Sequence, residues 1–324
     1  EINLQKPELA ALRNQFGDTL TELGKTNNNI VVLDSDLACS TQTQRFGKVF
    51  PERFFNQGIA EADMMCTAAG LATVGKIPFV STFALFASGR AWDQVRNTIC
   101  YSNLNVKICP THSGISLGED GASHQSIEDI ALMRVIPNMT VIVPCDAVET
   151  DNIIRWAAET DGPMYIRLVR TNHPVIHPKN YKFEPYKIEV LRTGTDVTIC
   201  ATGEMVYHAL LAAEMLAEKD NLQAEVLNIS FIKPLDTETL LSSVKKTGRV
   251  VTVESHQYIA GLGGAVCEVL SEHHPVPVKR LGTQDQFGQS GKPEDLFKAY
   301  GLDPESIYES VKAFVRQSNL AVLA

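Results

Sequence analysis

Two doubly wound α/β domains in one chain are what this sequence predicts, on three observations. Short apolar runs alternate with amphipathic stretches from one end to the other. Runs such as NIVVLDSD and DVTICATG are too apolar to alternate inward and outward faces. They read as strands covered on both sides, with helices as the parallel crossovers. The alternation breaks once, at 173–187, where three prolines, several lysines and aromatics follow no period. A first domain is therefore expected at 1–172, a linker at 173–190 and a second domain at 191–324. The 324 residues suit this, at roughly 100–200 residues per domain.

In the first domain a helix is expected at 9–23, from Leu9, Leu12, Phe16, Leu20 and Leu23 at helical spacing. Strands follow at NIVVLDSD and FFNQG, then a helix at 60–73, the strand PFVSTF and a helix at 86–101. VKICPT, a helix at 126–135, MTVIVPC, a helix at 147–158 and PMYIRLV complete the set. Beyond the linker come DVTICATG, a helix at 206–219, one strand AEVLNISFIKP, a helix at 236–246 and RVVTVES. The glycine turn Gly261-Leu262-Gly263-Gly264 opens a helix through Leu270, VPVKRLG is a strand, and a helix at 304–315 ends the pattern.

Composition narrows the function. With 44% hydrophobic and 21% charged residues the chain is globular, and 29 Lys+Arg against 38 Asp+Glu give a net charge of −9. An acidic balance argues against nucleic acid as a partner. No apolar run approaches the roughly 20 residues that cross a bilayer, so no membrane partner is expected. The start EINLQKPELA has no signal-peptide pattern, and a cytoplasmic location is the expectation. Seven scattered cysteines without a CxxC pair read as reduced thiols, not as a disulfide frame or a zinc site.

Four stretches hold candidate chemistry. The turn Gly261-Leu262-Gly263-Gly264-Ala265-Val266 has Val where a dinucleotide fingerprint needs its third glycine, and SHQYIA separates it from the strand before. A close helix–strand crossing explains it better than a nicotinamide site. The densest polar stretch runs from Thr111 to Gln125, directly after a strand, where ligands of open α/β sheets bind. Its three glycines allow sharp turns, so His112, Asp120 and His124 could converge although 12 residues separate the histidines. Glu61 falls in the first turn of a helix, where a carboxylate favours the dipole by roughly 0.3–1 kcal/mol. Its neighbours Met64, Met65, Cys66 and Ala68 are apolar, which suits a partly desolvated, protonation-ready carboxyl. Phe83 and Phe86 bracket a strand-to-helix corner, as core packing or as a ring-stacking wall. Arg13 and Arg170 could each hold a phosphate as forked donors or form surface ion pairs. No metal-ligating spacing is present.

Taken in order, these stretches resemble the transketolase family. GEDGASHQ is similar to that family's GEDGPTHQ, FFNQGIAEADM to the segment with its catalytic glutamate, and PFVSTFALF to the corner with its aromatic pair. IPNMTVIVPCDAVET resembles the strand that follows, and the likeness continues more weakly to the chain's end. The resemblance implies a thiamine diphosphate pyrimidine-binding domain followed by a transketolase C-terminal domain. The family's GDG motif, which holds the diphosphate and its Mg2+ or Ca2+, is absent; Gly17-Asp18-Thr19 is the nearest approach and lies in a predicted helix. The implied partner is an N-terminal transketolase subunit carrying that motif, in an α2β2 assembly.

By the same resemblance Glu61 hydrogen-bonds N1′ of the aminopyrimidine and drives loss of the thiazolium C2 proton. Phe83 and Phe86 pack on the pyrimidine, with Gly89 where a third aromatic is common, and Asp36 is an acid near the subunit interface. Arg13, Ser40, His112 and Arg170 match residues that hold the sugar phosphate. Asp120 matches the residue that reads the C2 hydroxyl, and His124 one bonded near the reacting carbons. Ser113 stands where transketolases carry an acid, which leaves room for another terminal anion such as a sulfonate. The implied reaction is transfer of a two-carbon ketol unit from a ketose phosphate to an aldose phosphate. The nearest rival is the β subunit of a 2-oxo acid dehydrogenase E1 component, which lacks GEDGASHQ. A deoxyxylulose-phosphate synthase-like subunit also competes, through RAWDQV and VESHQYIAGLGGAV. A non-catalytic scaffold would not need Glu61, both histidines and both arginines together.

Overall fold

The structure, a computed structural model, describes residue 4 and residues 6–322. A first sheet grows outward from Ile30–Asp34, all five of whose residues are buried. Phe54–Asn56 flanks it on one side. On the other side Ile77–Ser81, Lys107–Ile108, Met164–Ile166 and Thr140–Ile142 follow, all parallel. Parallel strands need crossovers, and Glu61–Thr73 and Ala147–Glu159 are two of them. The chain leaves Ile30–Asp34 for one edge and returns on its other side at Ile77–Ser81. That reversal opens a crevice beyond the strands' carboxyl ends.

A second sheet orders Val278–Thr283, Val250–Gln257, Val197–Ala201 and Ala224–Asn228 in parallel, with Glu189–Arg192 antiparallel at the edge. Both sheets belong to the α/β class, as expected. Arg167, 3% exposed, ties the halves together: it pairs with Asp129 at 2.8 Å and donates to the carbonyls of Ser126 and Ser255. No helix among the described residues is long and apolar enough to cross a membrane. All seven cysteines are free thiols.

Several elements depart from expectation. Leu9–Ala11 is a strand, and the first helix is Leu12–Thr26. Those three residues pair antiparallel with Asn172–Pro174, which binds the start of the expected linker to the first domain. His173, Ile176 and His177 in that segment are buried. AEVLNISFIKP divides at Ile229, and Phe231–Lys233 joins the first sheet antiparallel to Thr140–Ile142. One strand of the first sheet thus comes from residues assigned to the second domain. The helix expected at 86–101 is instead two wide π turns, Phe86–Arg90 and Val95–Cys100, around Trp92–Gln94. The helix at 126–135 shortens to Asp129–Arg134, Pro293–Ala299 forms a helix that no period announced, and the last helix runs from Pro304 to Val322.

Candidate active site

Three strand ends and one helix start meet at the crevice. Asn56, closing its strand, accepts from the backbone N–H of both Asp36 and Gly58, so two loops are fixed by one amide oxygen. Gly58 turns the chain at φ +68°, and Glu61 follows as the first residue of its helix. The Glu61 carboxyl is 5% exposed, and Oε1 accepts from Arg90 Nη1 at 3.2 Å. Arg90 ends the first π turn and lays its guanidinium 4.1 Å from the Phe86 ring centre. One arginine therefore connects the acid to the aromatic corner.

That corner sits beside the histidine loop because two strand ends continue into each other's hydrogen bonding. Thr111 N–H donates to Thr82 O and Ala84 N–H to Thr111 O, a parallel bridge that sets Phe83 opposite Thr111. Phe83 consequently stacks on His112, centroids 3.9 Å apart, and on Phe86 at 5.9 Å. His124 presents its edge to both rings, at 6.4 and 5.6 Å. The loop between the histidines is held by Gln125, whose amide donates to Ile115 O, Gly118 O and Gln289 O. Gly288 leaves it that space: a Cβ there would lie 1.8 Å from Gln125 Oε1.

A cationic corner adjoins. Asp34, fully buried, accepts from Leu37 N–H and from the Thr41 and Thr43 hydroxyls, and burial raises its pKa. This fixes the turn that offers Ser40 O to Arg13 Nη1 at 2.7 Å. Arg170 donates to Leu117 O at 2.7 Å and pairs with exposed Glu119. Burial and then the charge of Arg170 lower the Arg13 pKa. Burial, Arg13 and Arg170 together push His112 down to about 3, so its imidazole is neutral at physiological pH.

Glu61, Phe83, Phe86, His112 and His124 thus form one connected cluster. Arg13, Ser40 and Arg170 lie at its cationic side. Asp36 takes the left-handed conformation at φ +60° on an exposed turn tied to the approach to Glu61. Asp120 is exposed on the loop between the two histidines. Arg90, Asp34 and Gln125 stand in no motif that marks them in the sequence; Gly89, where a third aromatic is common, is the one local signal that the wall beside Arg90 is completed differently. Ser113 Oγ donates to Leu168 O and is occupied in the fold.

The glycine turn of the second domain is a close crossing. A Cβ on Gly261 would lie 2.1 Å from Glu254 Oε2, and one on Gly263 2.9 Å from Thr252 Oγ1. Glu254 itself accepts from Leu262 N–H at 2.7 Å and Gly263 N–H at 2.9 Å, so a carboxylate already fills the helix N-terminus. The strand also runs on past the expected RVVTVES through His256 and Gln257.

The aminopyrimidine half of thiamine diphosphate fits the residues present: a buried carboxyl beside a stacked aromatic wall. For the diphosphate and its metal this chain has no GDG motif. Among the described residues, the one group of three metal-ligating side chains that converges is Cys145, Glu149 and His177, none of which lies in this cluster.

Comparison with known proteins covers both domains. Residues 8–175 match the transketolase pyrimidine binding domain and 186–307 the transketolase C-terminal domain. A solved structure described as a split gene transketolase, inactive beta4 tetramer, is 51% identical, covers 95% of this chain and 97% of its own, and superposes with a TM-score of 0.85. A 6-deoxy-6-sulfo-D-fructose transketolase subunit from Clostridium sp. (strain MSTE9) is 42% identical over 95% of each chain. Transketolase of Rattus norvegicus is 38% identical over 97% of this chain but only 50% of its own length. The chain belongs to the transketolase family and corresponds to its C-terminal half.

Proposed function

We propose that this chain supplies the aminopyrimidine-facing half of a thiamine diphosphate site. It then transfers a two-carbon ketol unit between sugar phosphates once an N-terminal subunit completes the site. The observation that carries this is the Glu61 carboxyl, 5% exposed and joined through Arg90 to the Phe86 wall. When bound, thiamine diphosphate supplies the carbanion chemistry that breaks and remakes a carbon–carbon bond next to a carbonyl. Glu61 shares a proton with the pyrimidine N1′, and burial strengthens that hydrogen bond. Phe83 and Phe86 exclude water and fix the ring plane. His124, edge-on to both rings, hydrogen-bonds the sugar beside the reacting carbons. Asp120 reads the C2 hydroxyl configuration.

Arg13 and Arg170 bring positive charge to the sugar's terminal group, with Ser40 and a neutral His112 beside them. This suits a phosphate dianion. A sulfonate is the second reading, favoured by the relative described as a 6-deoxy-6-sulfo-D-fructose transketolase subunit. Asp36, on its exposed turn, faces the subunit interface. The diphosphate and a Mg2+ or Ca2+ ion are held by the N-terminal partner, in an α2β2 assembly acting in the cytoplasm.

The test is Glu61→Gln in the reconstituted pair, followed by hydrogen–deuterium exchange at C2 of the bound cofactor. Exchange is expected to fall by about 10²–10⁴-fold, the usual contribution of a positioned acid–base group. Unfolding free energy should move by less than about 1 kcal/mol, because the one ion-pair partner, Arg90, is half exposed. Exchange at the wild-type rate would remove Glu61 from its assigned role.

A further inference from the structure

The strand Thr140–Ile142 runs into Val143, Pro144 and Cys145, and Asp146 then caps the helix Ala147–Glu159. Cys145, Glu149 and His177 are each at most 4% exposed. Cys145 Sγ, a Glu149 carboxylate oxygen and a His177 ring nitrogen all lie within 4.8 Å of one another. His177 Nδ1 is 3.8 Å from Cys145 Sγ and 3.0 Å from Asp146 Oδ2. Bonds of about 2.0–2.3 Å around a tetrahedral ion separate ligand atoms by roughly 3.2–3.8 Å, so a small inward shift would seat one.

Three further observations favour an ion over a plain hydrogen-bond network. The second ring nitrogen, Nε2, donates to Glu189 Oε2 at 2.7 Å, the outer carboxylate that orients a metal-bound histidine. Asn228 Nδ2 donates to Glu149 Oε1 at 3.1 Å and also faces the sulfur at 3.5 Å, within reach of a thiolate. A surface cavity of about 460 Å³, lined by Ala147, Val148, Asp151, Val175 and Pro178, reaches His177 from the solvent side.

We propose that Cys145, Glu149 and His177 bind one zinc ion, with a water in the fourth position, while Asp146 stays bonded to the Glu149, Ile176 and His177 N–H groups. Thiolate, imidazole and carboxylate together select zinc over the harder magnesium or calcium. The protons balance. Without metal, His177 Nδ1 lies 3.0 Å from Asp146 Oδ2 and Nε2 2.7 Å from Glu189 Oε2, so both ring nitrogens face carboxylates and the ring carries two protons. The dication enters as one ring proton and the thiol proton leave to solvent, and the buried net charge stays the same. Cys145 and Glu149 belong to the first domain, whereas His177 lies on the segment leading to the second and Glu189 opens an edge strand of the second sheet. The ion therefore fastens that segment in place.

The test is metal content of the full-length chain, loaded with zinc chloride, dialysed against metal-free buffer and measured by inductively coupled plasma mass spectrometry. About one zinc per chain is expected. Replacement by Co2+ should give a near-ultraviolet thiolate-to-cobalt band. Cys145→Ser should abolish the band, and His177→Gln should weaken retention at least about tenfold. Cys39→Ser, an exposed thiol elsewhere, should leave both unchanged. No retained zinc in the wild-type chain, which needs no variant to fold, would leave only a hydrogen-bond network. A full cobalt band in Cys145→Ser would overturn the assignment equally.

Discussion

His112 offers a prediction whose size follows from its surroundings. Its imidazole is 3% exposed, stacked on Phe83 at 3.9 Å, and held to a pKa of about 3 by burial, Arg13 and Arg170. In the unfolded chain the ring protonates near pH 6.5, whereas in the fold it stays neutral until about pH 3. As pH falls through that window the unfolded state takes up a proton that the native state refuses, so stability is lost on acidification. At about pH 5 the loss is about 2 kcal/mol, and near pH 7.5 it is close to zero. His112→Gln removes the titration and leaves a pH-independent packing cost. The assay is urea unfolding of wild type and variant at the two pH values. The variant should gain about 2 kcal/mol relative to wild type on going from neutral to acid. An unchanged difference would mean that the imidazole is protonated in the fold, and that the cationic corner carries a third charge.

Other variants test neighbouring parts of the site. Arg170→Ala should raise KM for phosphorylated sugars by about 10–100-fold, as expected for loss of a charge-assisted bond, with a smaller fall in kcat. Equal losses on non-phosphorylated sugars would count against contact with the terminal anion. Gly288→Ala would set a methyl 1.8 Å from Gln125 Oε1, displacing the amide that holds three loop carbonyls. It should cost about 1–3 kcal/mol and loosen the loop between His112 and His124, seen as faster amide exchange there; an unaltered exchange pattern would show that the loop is held elsewhere.

Most strands and the polar loop were legible because their signals are local. A β-branched run covered on both faces, or glycines after a strand end, can be read in a window of a few residues. Leu9–Ala11 and Phe231–Lys233 were misjudged because what decides them is distant: Leu9 pairs with Pro174 and Phe231 with Ile142. Leu9 fits a helical period and yet stands 59% exposed. Glu61, the aromatic pair and the histidines were nameable through motif resemblance, but their mutual contacts were not. The stacking of Phe83 on His112 arises from the register of two strand ends, and the Arg90–Glu61 pair from a π turn that sequence periodicity read as ordinary helix. Asp34 was hidden for another reason. A buried acid satisfied by two threonines looks in sequence like the end of any strand.

That this chain holds one half of a catalytic site is tested most directly by ketol transfer from xylulose 5-phosphate to ribose 5-phosphate, with thiamine diphosphate and Mg2+ in excess. The purified chain is measured alone and then with a GDG-containing transketolase N-terminal subunit from the same source. The expected result is no transfer by the chain alone and restored transfer on mixing, saturating at equal numbers of the two chains. Turnover by the chain without a partner would contradict the claim outright.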